Sequence, residues 1–475
     1  MTEAIATRSA QRVGLPESAI GDLRKAFDGE TIAPADTAYE SARHSWNQMV
    51  DQYPALVVQP RGTADVAAAI RFARKHALEI SVRCGGHGTS GQSVTDGGMV
   101  IDLALMRGVR VDPTARRAWV QGGCLLRDVD REAQIHGLAT TGGVVSHTGV
   151  GGLTLGGGYG YLGRRFGLAC DNVRSVEIVT ATGDVVVANP GQNEDLYWGI
   201  RGGGGNFGVV TCFEFQLHPF GPDILSVDLA YPIDRGPAAL RAFLDMAADA
   251  PDPMVAGAAV VTARPSPDIP EAHHGRPIVW VGYTYADDVE AGKRHLPRLK
   301  AAGEPLFEAV EVMRYVDLQR MPDEVQRHGM RQYARSHFIR ATTDTFIDAL
   351  LDRGGADTGV AAGGSLGQLG GAISRVGPDD TAFSGRDALF DLVVTSTWED
   401  PALDSDRIAA ARAFGDTMLP LSTGRSYVNA IDDPTTDKVR AAFGAETYER
   451  LVAVKDRYDP DNVFHLNQNV QPSGR

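Results

Sequence analysis

Val82-Arg83-Cys84-Gly85-Gly86-His87-Gly88-Thr89-Ser90-Gly91, VRCGGHGTSG, follows the strand-like run EISVR and sets one histidine among four glycines. Glycine frees the backbone for positive φ and for close approach to a ligand. Successive glycine amides also form anion-binding concavities. Two stretches of the same texture follow, HTGVGGLTLGGGYG from His147 and RGGGGNFGVV from Arg201. Tight turns in a β-rich domain would explain any one of them. Three together suggest one long anionic ligand touched at several places, because a pyrophosphate draws on several backbone amides. The dinucleotide fingerprint GxGxxG can be laid loosely over GVGGLTLGGG, but it needs regular βαβ units around it. Here the loops are separated by short strands of antiparallel pattern, which argues against a doubly wound parallel sheet.

The chain has 475 residues, beyond the roughly 250–300 at which one core usually divides, so two domains are expected. It is 43% hydrophobic and 22% charged, with a formal net charge of −14. That charge argues against nucleic acid or an anionic membrane as partner. The N-terminus lacks the apolar core of a signal peptide, and no apolar run approaches the ~18 residues of a membrane span. Cys84, Cys124, Cys170 and Cys212 lie far apart with no CxxC pair. No metal site is expected from them, and a reduced, cytoplasmic protein is the default.

Residues 1–27 read as a leader with a helix over PESAIGDLRKAF. TADVAAAIRFARKHAL places Val66, Ile70, Ala73 and Ala77 on one helical face. Short β-rich runs follow (EISVR, GMVIDL, VRVD, RAWVQG), then a helix closing on Gly137. SVEIVTATGDVVVA is a hairpin-like pair turning at Thr182-Gly183, and GVVTCFEFQLHP is another strand. After residue 223 the texture changes. The β-rich runs ILSVDLAY, PMVAGAAVVTA, PIVWVGYTY, LGGAISRV and DLVVTSTW alternate with helices near 235–249, 286–301 and 402–418. That segregation suits an antiparallel sheet with covering helices. The expected division is 28–223, 224–423 and a C-terminal segment 424–475.

VRCGGHGTSGQSVTDGGMVIDL, HTGVGGLTLGGGYGYLGRRFGLACDN and NEDLYWGIRGGGGNFGVVT resemble the three cofactor loops of the berberine bridge enzyme-like FAD-linked oxidases, which carry a p-cresol methylhydroxylase-type FAD domain. YVNAIDD and DRYDPDNVFHLNQNV resemble that family's C-terminal segment. The resemblance runs from Ala55 to Val470, is weakest in the middle, and is nearest to bacterial members of the 6-hydroxy-D-nicotine oxidase type. It implies an α+β fold. Residues 28–223 and the returning segment 424–475 would form the FAD-binding domain, and 224–423 a substrate domain of antiparallel sheet covered by helices.

The resemblance also implies roles. His87 would bond covalently to the 8α-methyl of the flavin. Arg83, Gly85, Gly86, Gly88, Thr89, Ser90 and Gly91 of the first loop would hold FAD. So would His147, Thr148, Gly149, Gly151, Gly152, Gly156 and Gly157 of the second, and Asn206, Gly208, Val209 and Val210 of the third. Asn467 and Asn469 of the tail would join them, with Asn429 at the flavin edge or positioning Tyr427. Many relatives carry a second tether, a cysteine, where this chain has Val145, so a single attachment is expected. Thr148 falls where a side chain gates oxygen, and a small residue there favours an oxidase. Tyr427 matches the family's catalytic tyrosine and Tyr159 a second one near the flavin; either is otherwise a core tyrosine. Apart from the resemblance, His337 and Arg375 of the second domain are candidates to face substrate.

The implied activity is removal of a hydride from a C–H beside O or N of a small or mid-sized alcohol, amine or secondary metabolite, with O2 reduced to H2O2. A carbohydrate oxidase, a dehydrogenase or reductase that does not use O2, and a non-catalytic flavoprotein are the alternatives. A monomer or homodimer is expected.

Overall fold

The computed structural model describes residues 15–354, 362–432 and 434–474; the first fourteen residues of the expected leader lie outside them. The rest of that leader holds the helix Glu17–Lys25. Its Leu23, with Phe27 after it, packs on Val66 and Ile70 of the helix Thr63–Lys75. That helix ends two residues before Ala77, which takes a left-handed φ of 51°. Ala77 is therefore past the buried face it was expected to share, and Leu78 packs there instead.

Leu56–Gln59, Met99–Asp102 and Ile80–Arg83 form a parallel sheet with Met99–Asp102 in the middle, and Glu30–Ile32 adds an antiparallel edge. The antiparallel pattern expected here is corrected. These strands are apolar on both faces because both are covered, and Leu56, Val57 and Val58 are all fully buried. The dinucleotide-binding fold is still not restored. No helix lies between Arg83 and Met99; the chain enters the first glycine loop instead.

A second sheet of five antiparallel strands runs in the order Val109–Asp112, Arg117–Gln121, Val209–Gln216, Val173–Val179, Val185–Ala188. Its last pair is the hairpin turning at Gly183, where φ is 82°. The helix Ala445–Tyr458 packs Leu451 and Val454 against Phe207 and Phe213 of this core.

The third sheet has seven strands, all antiparallel. Their order is Phe307–Arg314, Asp223–Pro232, Pro277–Tyr285, Met254–Thr262, Gly363–Gln368, Phe390–Trp398, Arg331–Ile339. Alternate residues such as Leu225, Val227, Val260 and Leu392 pack with Phe243, Phe346 and Phe414 of three covering helices. LGGAISRV is not a strand. Gly370 and Gly371 take positive φ and lead into the short helix Ala372–Arg375. The strand lies just before it, in the glycine-rich Gly363–Gln368, whose intrinsic β-propensity is low and whose two neighbours impose the conformation. Phe307–Arg314 and Arg331–Ile339 were not expected as strands, because charged residues break their alternation.

This sheet also corrects two expectations about substrate contact. Arg335 donates to Arg412 O and pairs with Asp416 on the helix Asp404–Met418. His337 shares that helix-facing side, away from the tyrosines. Arg375 is exposed at the surface and pairs with Asp252 at 2.5 Å.

His337 is 2% exposed, and neither ring nitrogen has a hydrogen-bond partner. Burial, then the charge of Arg335, pushes its pKa down to about 4. The unfolded chain, with a value near 6.5, binds the proton first as pH falls. Stability is therefore lost between about pH 6.5 and 4, by on the order of 3 kcal/mol. His337→Leu is expected to remove that loss and to melt higher than wild type at pH 4.5. Equal slopes of melting temperature against pH in the two proteins would refute it.

Lys455 and Asp459 form a fully buried ion pair at 2.6 Å. Lys455 Nζ also donates to Asn206 O and Phe464 O, so it pins the third glycine loop to the tail. Removing one partner of such a pair leaves an uncompensated charge and costs roughly 3–5 kcal/mol. Lys455→Met should lower the urea midpoint accordingly, and adding Asp459→Asn should recover part of it. A midpoint unchanged in Lys455→Met would exclude this role. Among the described residues no helix is long and apolar enough to cross a membrane.

Candidate functional site

The three glycine loops converge. Gly85 and Gly149 touch backbone to backbone, so a Cβ on either would drive into the other loop. Gly86 has a φ of 67°, a left-handed conformation that favours glycine. Around Gly88, Gly152 and Gly205, by contrast, there is open space. Arg83 turns inward. Its guanidinium pairs with Asp102 at 2.9 Å and donates to Ala42 O and His44 O, so it anchors the root of the first loop. Thr89 Oγ1 donates to Asp432 at 2.6 Å and Ser90 Oγ to Gln92 at 3.1 Å. Thr148 O accepts from Leu126 N, and a Cβ at Gly151 would come 3.0 Å from Gly122 O.

The third loop is tied to the tail. Asn206 is fully buried; its amide donates to Gly203 O and Gln468 O and accepts from Val470 N. Gly208, at φ 156°, leads into the buried strand residues Val209 and Val210. Asn467 donates to Gly205 O, while Asn467 Oδ1 and Asn469 Oδ1 are buried without partners. Buried polar atoms of this kind call for a partner. They are polar atoms with which a bound ligand could pair.

His87 stacks on Trp46, with ring centroids 4.9 Å apart. Its Nε2 lies 2.6 Å from His147 Nδ1, leaving its own Nδ1 as the other nitrogen. His147 Nε2 is 3.9 Å from Asp323, whose carboxylate accepts from Ser146 N and Oγ. Burial, together with His147 and His328, pushes the His87 pKa down to about 3. His87, His147 and His328 also bring one nitrogen each within 4.8 Å of one another, a spacing that could hold a metal ion. Their separation along the chain hid this grouping. Burial holds all four thiols above the ordinary range, Cys84 and Cys212 at about 11, so none is an activated nucleophile.

The second group lies under the seven-stranded sheet. Tyr159 and Tyr427 sit with ring centroids 4.8 Å apart, among Phe338, Leu369 and Phe383. Gly157, at φ 118°, packs against the Phe383 ring. Tyr427 Oη accepts from Gly158 N at 3.2 Å and from Asn429 Nδ2 at 2.9 Å. Asn429 also donates to Gly152 O and Leu153 O and fills the space a Cβ at Gly156 would need. Tyr159 donates to Asp391, which sequence reasoning missed. Asp391 is fully buried and also accepts from Ser336 Oγ at 2.6 Å, and Ser336 Oγ in turn accepts from Tyr427 N. Burial pushes the Asp391 carboxyl up to about 6, and its hydrogen bonds oppose that. Burial also raises both phenols, and for Tyr159 the Asp391 charge adds to it. The arrangement can therefore take up one proton near neutral pH at Asp391, reached through the Tyr159 hydroxyl.

An FAD binding domain family matches residues 54–189, and a berberine and berberine-like family matches residues 426–471. The chain is 30% identical over 459 residues to (R)-6-hydroxynicotine oxidase of Paenarthrobacter nicotinovorans, covering 94% of this chain and 98% of that one. It is 29% identical over 461 residues to an FAD-linked oxidoreductase of Dictyostelium discoideum, covering 95% and 97%. The crystal structure of 6-hydroxy-D-nicotine oxidase from Arthrobacter nicotinovorans superposes with a TM-score of 0.85 at 29% identity, over 94% of this chain and 98% of that one.

Proposed function

The chain belongs to the berberine bridge enzyme-like FAD-linked oxidoreductases, and on that premise we propose that it oxidises a small or mid-sized alcohol, amine or aromatic secondary metabolite at a C–H beside O or N and reduces O2 to H2O2. The residues present fit FAD. Open space surrounds Gly88, Gly152 and Gly205, the tail offers two unpartnered amide oxygens, and His87 presents a half-buried neutral imidazole. His87 would hold the flavin covalently, and Val145 leaves no second tether beside it. When bound, the flavin supplies the acceptor for the substrate hydride and passes its electrons on to O2.

The observation that carries this reading is the Tyr159–Asp391 pair next to Tyr427. Of the two tyrosines expected near the flavin, Tyr159 with Asp391 serves as the base, and Tyr427 positions the substrate. Tyr427 Oη is the acceptor of two N–H donors, so its own proton is free to hold the substrate heteroatom. The Tyr159 hydroxyl takes the proton leaving the substrate O–H or N–H as its own passes to Asp391. General-base help of this kind contributes ~10²–10⁴ in rate. The aromatic walls exclude water, and Asn429 keeps Tyr427 in place. Thr148, small and beside His147, leaves room for O2.

The test is anaerobic bleaching of the flavin by a panel of aryl amines, aryl alcohols and oligosaccharides, followed by peroxide assay on admitting air. One class should bleach the flavin and yield peroxide. Bleaching by NADPH, or reduction without peroxide, would reject the oxidase reading.

A further inference from the structure

The face of the seven-stranded sheet turned away from its helices carries one row that crosses five strands. Asp228, Gly282, Gly257, Gly367 and Asp391 are successive cross-strand partners. Glycine is depleted inside strands and marks places where a ligand or another backbone comes close. At one end Tyr159 lies over Gly367, where a Cβ would come 4.0 Å from its ring. In the middle, a Cβ on Gly257 would meet only Leu366 O, at 3.5 Å. Gly257 and Gly367 are only half-buried in mid-sheet, and Ser365 beside them is exposed, so the row is open there.

The far end is built. Asp228 Oδ1 accepts from Trp280 Nε1 at 2.9 Å and Oδ2 from Ser226 Oγ at 3.0 Å. A Cβ on Gly282 would come 2.4 Å from Val227 O and 3.0 Å from that Oδ1, so only glycine fits between the neighbouring backbone and the carboxylate. Tyr161, two residues from Tyr159 on the same loop, feels the Asp228 charge. An independent pointer lies beside the row. Thr284 is 7% exposed, its Oγ1 has no hydrogen-bond partner, and strand alternation turns it to the same face as Gly282. Such a hydroxyl is costly unless something pairs with it.

We propose that this row is the floor of a trough for the distal part of the substrate, and that the substrate is a flat, multi-ring aromatic molecule with an amino or hydroxyl donor at its far end for Asp228. Four strand spacings separate Asp391 from Asp228, about 19 Å, which is more than a single ring spans. Gly257 and Gly367 let a planar body lie against the backbone. The floor's own peptide groups are paired in the sheet, so Ser365 would be left to serve the several hydroxyls of a sugar lying over Gly257 and Gly367. This inference rests on the oxidase reading, with the oxidised C–H at the Asp391 end.

The test uses the flavin-loaded protein and two probes with the same amino-pyridinium head, 9-aminoacridine with three rings and 4-aminopyridine with one. Binding is read by equilibrium dialysis without turnover. The three-ring probe should bind at least tenfold tighter. Gly257→Val, which fills the floor, and Asp228→Asn, which removes the charge but keeps the shape, should each cost that probe at least tenfold, with flavin content and melting temperature confirming the fold. Equal binding of the two probes, or tight binding that survives both substitutions, overturns the trough. Failure of the oxidase reading looks different: the probe pattern persists while no substrate bleaches the flavin.

Discussion

Asp391→Asn is expected to slow anaerobic flavin reduction by about 10²–10⁴ while leaving flavin content and the reaction of reduced enzyme with O2 nearly unchanged. The amide keeps the size of the carboxylate and can still meet Ser336 and Tyr159, but it cannot take up a proton. In the wild type, Asp391 sits at about 6. It must be ionised to accept a proton through Tyr159. The reduction rate measured at low substrate should therefore rise as pH rises through about 6 and level off above it. In Asp391→Asn that rise should disappear. Tyr159→Phe breaks the same relay one step earlier and should match it closely. Tyr427→Phe removes only a hydroxyl that positions the substrate heteroatom, and its effect should be smaller. Stopped-flow measurement of the two half-reactions separates these outcomes. A pH-independent wild-type rate, or an Asp391→Asn enzyme reduced as fast as wild type, would place the base elsewhere.

The glycine loops could be read from sequence because their demand is local. Gly86 and Gly157 need positive φ, and Gly85 and Gly149 need room for another backbone, whatever the rest of the chain does. Asp391 could not. It stands second in the strand Phe390–Trp398, where an aspartate reads as a solvated strand end. Only the pairing with Arg331–Ile339 and the reach of the second loop bury it under Tyr159. His337 failed for a related reason. Its strand Arg331–Ile339 was not legible from its charged sequence, so neither was the face its side chain takes, which a shift of one residue exchanges. The strand Gly363–Gln368 lacks any propensity of its own, and the parallel order of the first sheet depends on a pairing that no local pattern encodes. The His87–His147–Asp323 chain joins residues 60 and 176 positions apart, so only the folded chain brings it together.

That chain carries the second large effect, which is all-or-none. Wild-type protein precipitated with acid should stay yellow, and the flavin-bearing peptide should contain His87, with no adduct on any of the four cysteines. His87→Ala should release all of its flavin to the supernatant. The physical ground is the state of the imidazole. A nucleophilic nitrogen must be unprotonated, and burial with His147 and His328 nearby holds His87 at about 3. The ring is thus neutral across the whole working range, and the rate of attachment should not fall between pH 8 and pH 5 on account of His87. Its Nε2 is engaged by His147 Nδ1 at 2.6 Å, which fixes the ring and orders its one proton, while Asp323 lies on the far side of His147. His147→Ala removes that partner and leaves His87 in place, so attachment should still occur but on the order of 10²-fold more slowly. The time course of flavin fluorescence on denaturing gels, after FAD is added to flavin-free protein, measures this directly. Free flavin in the wild-type supernatant would sink the covalent reading. Attachment at the wild-type rate in His147→Ala would confine His147 to packing.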